Sequence, residues 1–165
     1  PPSLVTCTRD TFKQGTFFSI RTIKAIAYNL AKTLQHLHAN AISHGDLYTH
    51  NTMISGKNEA TSVLLGDFGA ASNLSYLPKS QQQQMEYIEV NAFGYLLDDL
   101  LALTSEDEGN LNSLEHVHNE SSLHQTLVTI STECMQKVIT NRPNFSDIVK
   151  RLDKLNHVTH VNEDV

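Results

Sequence analysis

Charge is scarce in this sequence. Charged residues make up 18% of the 165, beside 39% hydrophobic residues, a balance that excludes a chain kept disordered by charge. Basic residues are scarcer still, 12 against 18 acidic, for a net charge of −6. The basic stripe of a nucleic-acid-binding surface is therefore missing. The two cysteines, Cys7 and Cys134, lie far apart and form no disulfide or metal pattern; they read as free buried thiols in a reducing, cytoplasmic compartment. The nine histidines are scattered rather than spaced as metal ligands. No apolar run approaches the ~20 residues that span a bilayer, so no membrane partner is expected. A signal peptide is lacking, and the chain opens at Pro1 rather than Met, as a piece excised from a longer protein would. No repeat is visible. What remains is a chain long enough for one domain, residues 1–165, with a core of its own.

The clearest pattern that is present is helical. Ile20, Ile23, Ala27, Leu30, Leu34 and Leu37 alternate steps of three and four, one face of a helix of about 20 residues. Ser19 suits its N-cap, and Asn40 suits the left-handed residue that ends it. Three short β-type runs follow, at 41–43, 52–54 and 62–65, the last two joined as a hairpin through a tip at Gly56-Lys57-Asn58. Residues 70–85, with Pro78 and four glutamines, read as a surface loop. A largely buried helix is expected over 86–103, then an acidic loop to 120, then a helix with Leu123, Leu127, Ile130 and Cys134 on one face. Arg142-Pro143 breaks that helix. Asn144 caps a last one, with Asp147 three residues on and Ile148, Val149, Leu152 and Leu155 inside; the tail from Asn156 frays. The fold class is mainly α with a small β-hairpin region.

The residues with chemistry fall between these runs. His44-Gly45-Asp46-Leu47-Tyr48-Thr49-His50-Asn51 and Gly66-Asp67-Phe68-Gly69 place two carboxylates and a carboxamide at strand ends and in loops, where functional groups usually sit. Asp and Asn also favour tight turns for purely local reasons. As a site, Asp67 and the side-chain oxygen of Asn51 suit Mg²⁺, which takes hard oxygen ligands and needs few from the protein. Asp46 could then accept or orient the proton of an incoming hydroxyl. Those are the demands of phosphoryl transfer.

His44-x-Asp46-x4-Asn51, with Asp67-Phe68-Gly69 following, resembles the catalytic and metal-binding loops of eukaryotic-type protein kinases. Glu89-Val90-Asn91-Ala92-Phe93-Gly94 resembles the start of the buried central helix of that fold. Cys134 with Arg142-Pro143-Asn144-Phe145 and Ile148-Val149-Lys150-Arg151-Leu152 resembles its last two helices. The resemblance implies a protein-kinase-like C-terminal lobe in which Asp46 is the catalytic base, Asn51 and Asp67 hold Mg²⁺, and Met53 floors the adenine of ATP. His44 and Phe68 would stack in the core column, Glu89 would anchor the catalytic loop where the family usually has Asp, and Arg142 would pair with a glutamate, Glu86 or Glu89. Partners implied are ATP, a protein substrate bearing Ser or Thr, and an N-terminal lobe missing from the chain, without which transfer is not expected. Gly66-Asp67-Phe68-Gly69-Ala70-Ala71-Ser72 is similar to bacterial kinases linked to leucine-rich repeats.

Departures from the pattern matter. Gly45 replaces the usual Arg, which removes the clamp for a phosphorylated activation loop. Tyr48 replaces a Lys that neutralises the transferred phosphate, with His50 nearby as a weak substitute. No Ala-Pro-Glu precedes the central helix. These favour a second reading, a pseudokinase serving as a regulatory or scaffold module. His-Gly-Asp-Leu-x3-Asn also resembles aminoglycoside and choline kinases, a third reading that the Arg142-Pro143-Asn144-Phe145 block disfavours.

Overall fold

The computed structural model describes residues 12–56, 58–104 and 114–157; Cys7 and most of the acidic stretch after Thr104 lie outside them. Helix α1, Ile20–Ala39, runs through the centre. Its start follows from Ser19, whose extended backbone presents Oγ to the N–H of Thr22 at 3.2 Å, satisfying one of the orphan donors of the first turn. Ile20, Ile23, Ala27, Leu30 and Leu34 are buried along it as their spacing requires, with Ile26 and Ala31 widening the stripe. The helix ends one residue away from the expected arrangement. Asn40 keeps φ −96 and uses its Nδ2 to cap the carbonyl of His36 at 2.8 Å. The left-handed residue is therefore Ala41, φ 55, a conformation that costs an L-residue about 1–2 kcal/mol. Its carbonyl accepts from Leu74 N at 2.7 Å, which holds the reversal in place.

Two small antiparallel sheets follow. β1, Ile42–Ser43, pairs with β4, Ser72–Asn73, and β2, Thr52–Ser55, pairs with β3, Ser62–Leu65, in the register Thr52↔Leu65, Met53↔Leu64, Ile54↔Val63 and Ser55↔Ser62. The hairpin is as the sequence suggests; β4, two polar residues with no alternation, gave no signal. The hairpin tip docks onto the start of α1, where Ser19 Oγ donates to Asn58 Oδ1 at 2.7 Å and Asn58 N donates to Thr22 Oγ1 at 3.0 Å.

Helix α2, Lys79–Leu101, begins seven residues before the expected Glu86, so the glutamines are helical. Gln is a fair helix former, and Pro78 fixes the entry with φ −55. Gln82 ties the turn down by donating to the carbonyls of Leu74 and Leu77 at 3.0 and 2.9 Å. Helix α3, Leu114–Cys134, likewise starts within the stretch expected as loop. Its early turns carry no apolar period to announce them, and Glu120 is held by Arg21 of α1 at 3.3 Å. Helix α4, Phe145–His157, starts at Asn144, whose Oδ1 accepts Asp147 N at 2.9 Å, and it continues past Asn156. The molecule is mainly helical, with α1 packed against α2, α3, α4 and β3. Phe93 of α2 and Phe145 of α4 meet edge to face at 5.8 Å in the core. Among the described residues no helix is long and apolar enough to cross a membrane.

Candidate functional site

The loop from His44 to Asn51 is set between α1, α2 and the hairpin. Leu47, buried, roots it in the hydrophobic core. His44 is fully buried, and its Nε2 lies 2.8 Å from the carbonyl of Gly66; since a carbonyl only accepts, that nitrogen carries the proton. Gly45 turns the chain at φ 80, in a conformation that suits glycine. Its N–H donates to Oε1 of Glu89 at 2.8 Å. Asn51 folds back over the loop, its Nδ2 donating to the carbonyl of Asp46 at 2.8 Å and to Asp46 Oδ2 at 2.9 Å.

The hairpin brings the second stretch alongside. Thr52 faces Leu65 in the register, and Gly66 N donates to Asn51 O at 2.8 Å. Asp67 thus follows directly on a residue bonded to Asn51. It is exposed, left-handed at φ 52, and its Oδ1 accepts the N–H of Gly69 at 3.2 Å. Phe68 meets His44 at 4.8 Å between ring centroids, but at 71°. The contact is edge to face, and Phe68 stays substantially exposed.

Glu89 is buried beneath the loop. Oε1 accepts from Gly45 N and from Ser43 Oγ at 3.3 Å, while Oε2 lies 2.5 Å from Nε2 of His38. Burial works to raise its pKa, but the hydrogen bonds from His38 and Gly45 and the influence of His38 and His44 prevail, holding the carboxyl below its usual range. His38 and Ser43 were not singled out from the sequence. The available signal was register, since His38 sits four residues beyond Leu34 on the buried stripe of α1.

Two other sequence candidates lie apart from this cluster. Met53 is on the outer face of the hairpin beside Leu64, 64% and 62% exposed. Arg142 does not take a glutamate partner as expected; it donates to the carbonyls of Gln136 at 2.8 Å and Tyr87 at 2.9 Å. The reason is that Glu86 is already committed to the start of α4, accepting Phe145 N at 2.9 Å, and Glu89 to the loop. Between Asp46 and Asn51, the rings of Tyr48 and His50 stack at 5.3 Å and 17°. No group of three His, Cys, Asp or Glu side chains suited to a metal occurs among the described residues.

The sequence model of the protein kinase domain matches residues 4–91, just over half of the chain. The chain belongs to the protein kinase domain family. The matched stretch contains α1, both loops and Glu89, whereas α3 and α4 lie beyond it. A probable serine/threonine-protein kinase of Dictyostelium discoideum, glkA, is 39% identical over 70 residues, 42% of this chain and 13% of that protein. The dual specificity testis-specific protein kinase 1 of Mus musculus is 21% identical over 160 residues, 79% of this chain and 26% of that protein. A further probable serine/threonine-protein kinase of D. discoideum is 25% identical over 154 residues, 79% of this chain and 36% of its own length. The chain thus spans roughly an eighth to a third of these relatives' lengths.

Proposed function

We propose that residues 1–165 form the C-terminal lobe of a protein kinase that transfers the γ-phosphate of Mg-ATP to a Ser or Thr hydroxyl of a protein. The observation that supports this reading is the pairing of Asn51 with Asp46, together with the backbone bond from Gly66, the residue before Asp67, to Asn51. Asp46 orients the acceptor hydroxyl and takes its proton. Asn51 has its amide nitrogen committed to Asp46, which leaves the carboxamide oxygen as its hard donor for a cation. Asp67, next in the chain after Gly66, adds an exposed carboxylate. That donor set of one carboxylate and one amide oxygen fits Mg²⁺, which retains water and phosphate oxygens for its other positions. When bound, Mg-ATP supplies the phosphoryl group and the charge neutralisation that its transfer requires. On this reading Met53 offers an apolar surface to the adenine, and an N-terminal lobe covers the nucleotide from the other side. The buried Cys134 thiol is in keeping with a cytoplasmic setting.

The test is Mg-dependent phosphate transfer from ATP by the full-length protein and its Asp46→Asn variant. Loss of transfer in the variant supports the reading, by a factor on the order of 10² or more for removal of a general base. Equal, background-level transfer by both would mean a pseudokinase, which the Tyr48–His50 stack in the place of a phosphate-facing Lys favours. Preferential labelling of an aminoglycoside or choline would move the protein to small-molecule phosphotransfer.

A further inference from the structure

Apolar side chains left in water collect along one flank of α2. Tyr87 and Gly94, seven residues apart, form the side of α2 that meets the end of α3 and the turn beyond it. The carbonyl of Tyr87 accepts from Arg142 at 2.9 Å, and that of Gly94 from Ser131 Oγ at 3.0 Å. Ile88 and Tyr95 each come one residue later, so they share the neighbouring flank, about 100° round the helix. Val138 leads into the turn Ile139–Asn141, which packs on α2. Ile88 and Val138 are each 57% exposed, and Tyr95 and Ile139 are exposed with them. Four of the nine large hydrophobic side chains exposed among the described residues thus gather in one place, and such a patch marks a contact surface.

The chemistry of the flank fits a copy of itself. Its stripe runs Gln81, Gln84, Ile88, Asn91, Tyr95 and Asp98, in alternating steps of three and four, as in the seam of a helix pair. The middle carries apolar groups and amides but no charge. Amides both donate and accept, so like meets like without conflict. That matters in a chain of net charge −6, where a charged patch would repel its own copy. The ends of α2 differ in sign: Lys79 opens it with no acid in the first turn, and Asp98 and Asp99 lie near its close.

We propose that this flank of α2 is an isologous interface, on which a second copy of the chain packs antiparallel about a two-fold axis between Ile88 and Asn91. In that register Ile88 faces Asn91 of the second copy, Gln84 faces its Tyr95, and Lys79 comes within a turn of its Asp98 and Asp99. A parallel pair would set Lys79 on Lys79 and acid on acid. The two-fold closes the assembly at two chains. α2 has 23 residues and is roughly 35 Å long. One such face with the turn beside it offers less than the ~800 Å² per partner of a standard interface. The pair should therefore be reversible, with a Kd on the order of 10 μM.

Sedimentation of the full-length protein from about 1 to about 200 μM tests this, a range that brackets the expected Kd. Ile88→Glu and Val138→Glu should each weaken association by about tenfold or more. Both replace exposed side chains, so the melting temperature of the monomer should hold. Leu64→Ser, at an exposed apolar residue of the hairpin, should leave association unchanged. Lys79→Glu makes both ends of the flank acidic and should weaken the pair about three- to tenfold, as should salt at about 0.5 M. A monomer throughout the range overturns the proposal, even where another protein is captured on this face. So does a dimer indifferent to both Ile88→Glu and Val138→Glu, since the copies would then meet elsewhere. A dimer lost in Ile88→Glu but insensitive to Lys79→Glu and to salt overturns the antiparallel register. Phosphate transfer plays no part in these readouts, so the pairing stands or falls separately from the kinase reading.

Discussion

At the scale of single residues, Gly45 shows why a departure from the family pattern is more than a missing side chain. It holds φ 80, and a Cβ built there would stand 2.6 Å from the carbonyl oxygen of Ala70. An Arg at this position is thus barred by the backbone as it runs here. Gly45→Ala should destabilise the protein by about 1–3 kcal/mol, read as a lower urea midpoint, and Gly45→Arg should do no better. A neutral Gly45→Arg would show that the loop can retreat from Ala70. Glu89 gives a prediction in pH. Its folded pKa is lowered from 4.5 despite burial, which alone would raise it; the bonds from His38 and Gly45 outweigh that. A carboxyl with a lowered folded pKa contributes stability that is complete above its ordinary value and disappears as pH falls through the lowered one. Denaturant midpoints taken from about pH 6 down to about pH 3 should fall less steeply for Glu89→Gln than for the unsubstituted protein, because the variant has no carboxyl there to protonate. Parallel slopes would exclude Glu89 as a source of acid sensitivity.

At the scale of elements, legibility followed how much each segment owes to its own sequence. Helices α1 and α4 show apolar residues at steps of three and four with a capping Ser19 or Asn144, and both start where those signals place them. The start of α2 was hidden because Gln81–Gln84 carry no apolar stripe, and its turn is fastened by Gln82 reaching back to Leu74 and Leu77. β4 is a pairing imposed by Ala41, Ile42 and Ser43 rather than a preference of Ser72 and Asn73. In the candidate site, the acids and the amide were visible as side chains in turns. His38 was not, because its partner Glu89 lies 51 residues away. The same distinction governs how α2 meets α3. Gly94 reads as an unhelpful residue within a helix, yet a Cβ there would lie 2.7 Å from Cys134 Cβ and 2.9 Å from Met135 Cγ. Gly94→Ala gains up to about 1 kcal/mol of helix propensity, whereas overpacking costs about 1–3 kcal/mol. Met135 can turn aside, but Cys134 Cβ moves only with α3, so the net change should be destabilising. Thermal denaturation checks it, and Cys134→Ala, which keeps the Cβ, should not rescue the variant.

At the scale of the whole molecule, the hairpin has two faces with different loyalties. Ile54, Val63 and Leu65 turn inward and pack on the core, while Met53 and Leu64, paired across the strands, turn outward. Among the described residues these two large apolar side chains stay 64% and 62% exposed. On the proposed reading, the adenine and an N-terminal lobe would lie against that face. A stability measurement and an affinity measurement should therefore separate. The double variant Met53→Ser, Leu64→Ser removes side chains that bury little, so its stability should stay within about 0.5 kcal/mol. In the full-length protein the same change should raise KM for ATP about tenfold, the equivalent of ~1.4 kcal/mol of lost contact. Ile54→Ala, on the inward face, should behave in the opposite way, losing about 2 kcal/mol of stability and affecting the nucleotide only through the fold. If the outward double variant melted early, or left KM unchanged, the pair would serve the hairpin itself, and the adenine surface would have to be sought elsewhere.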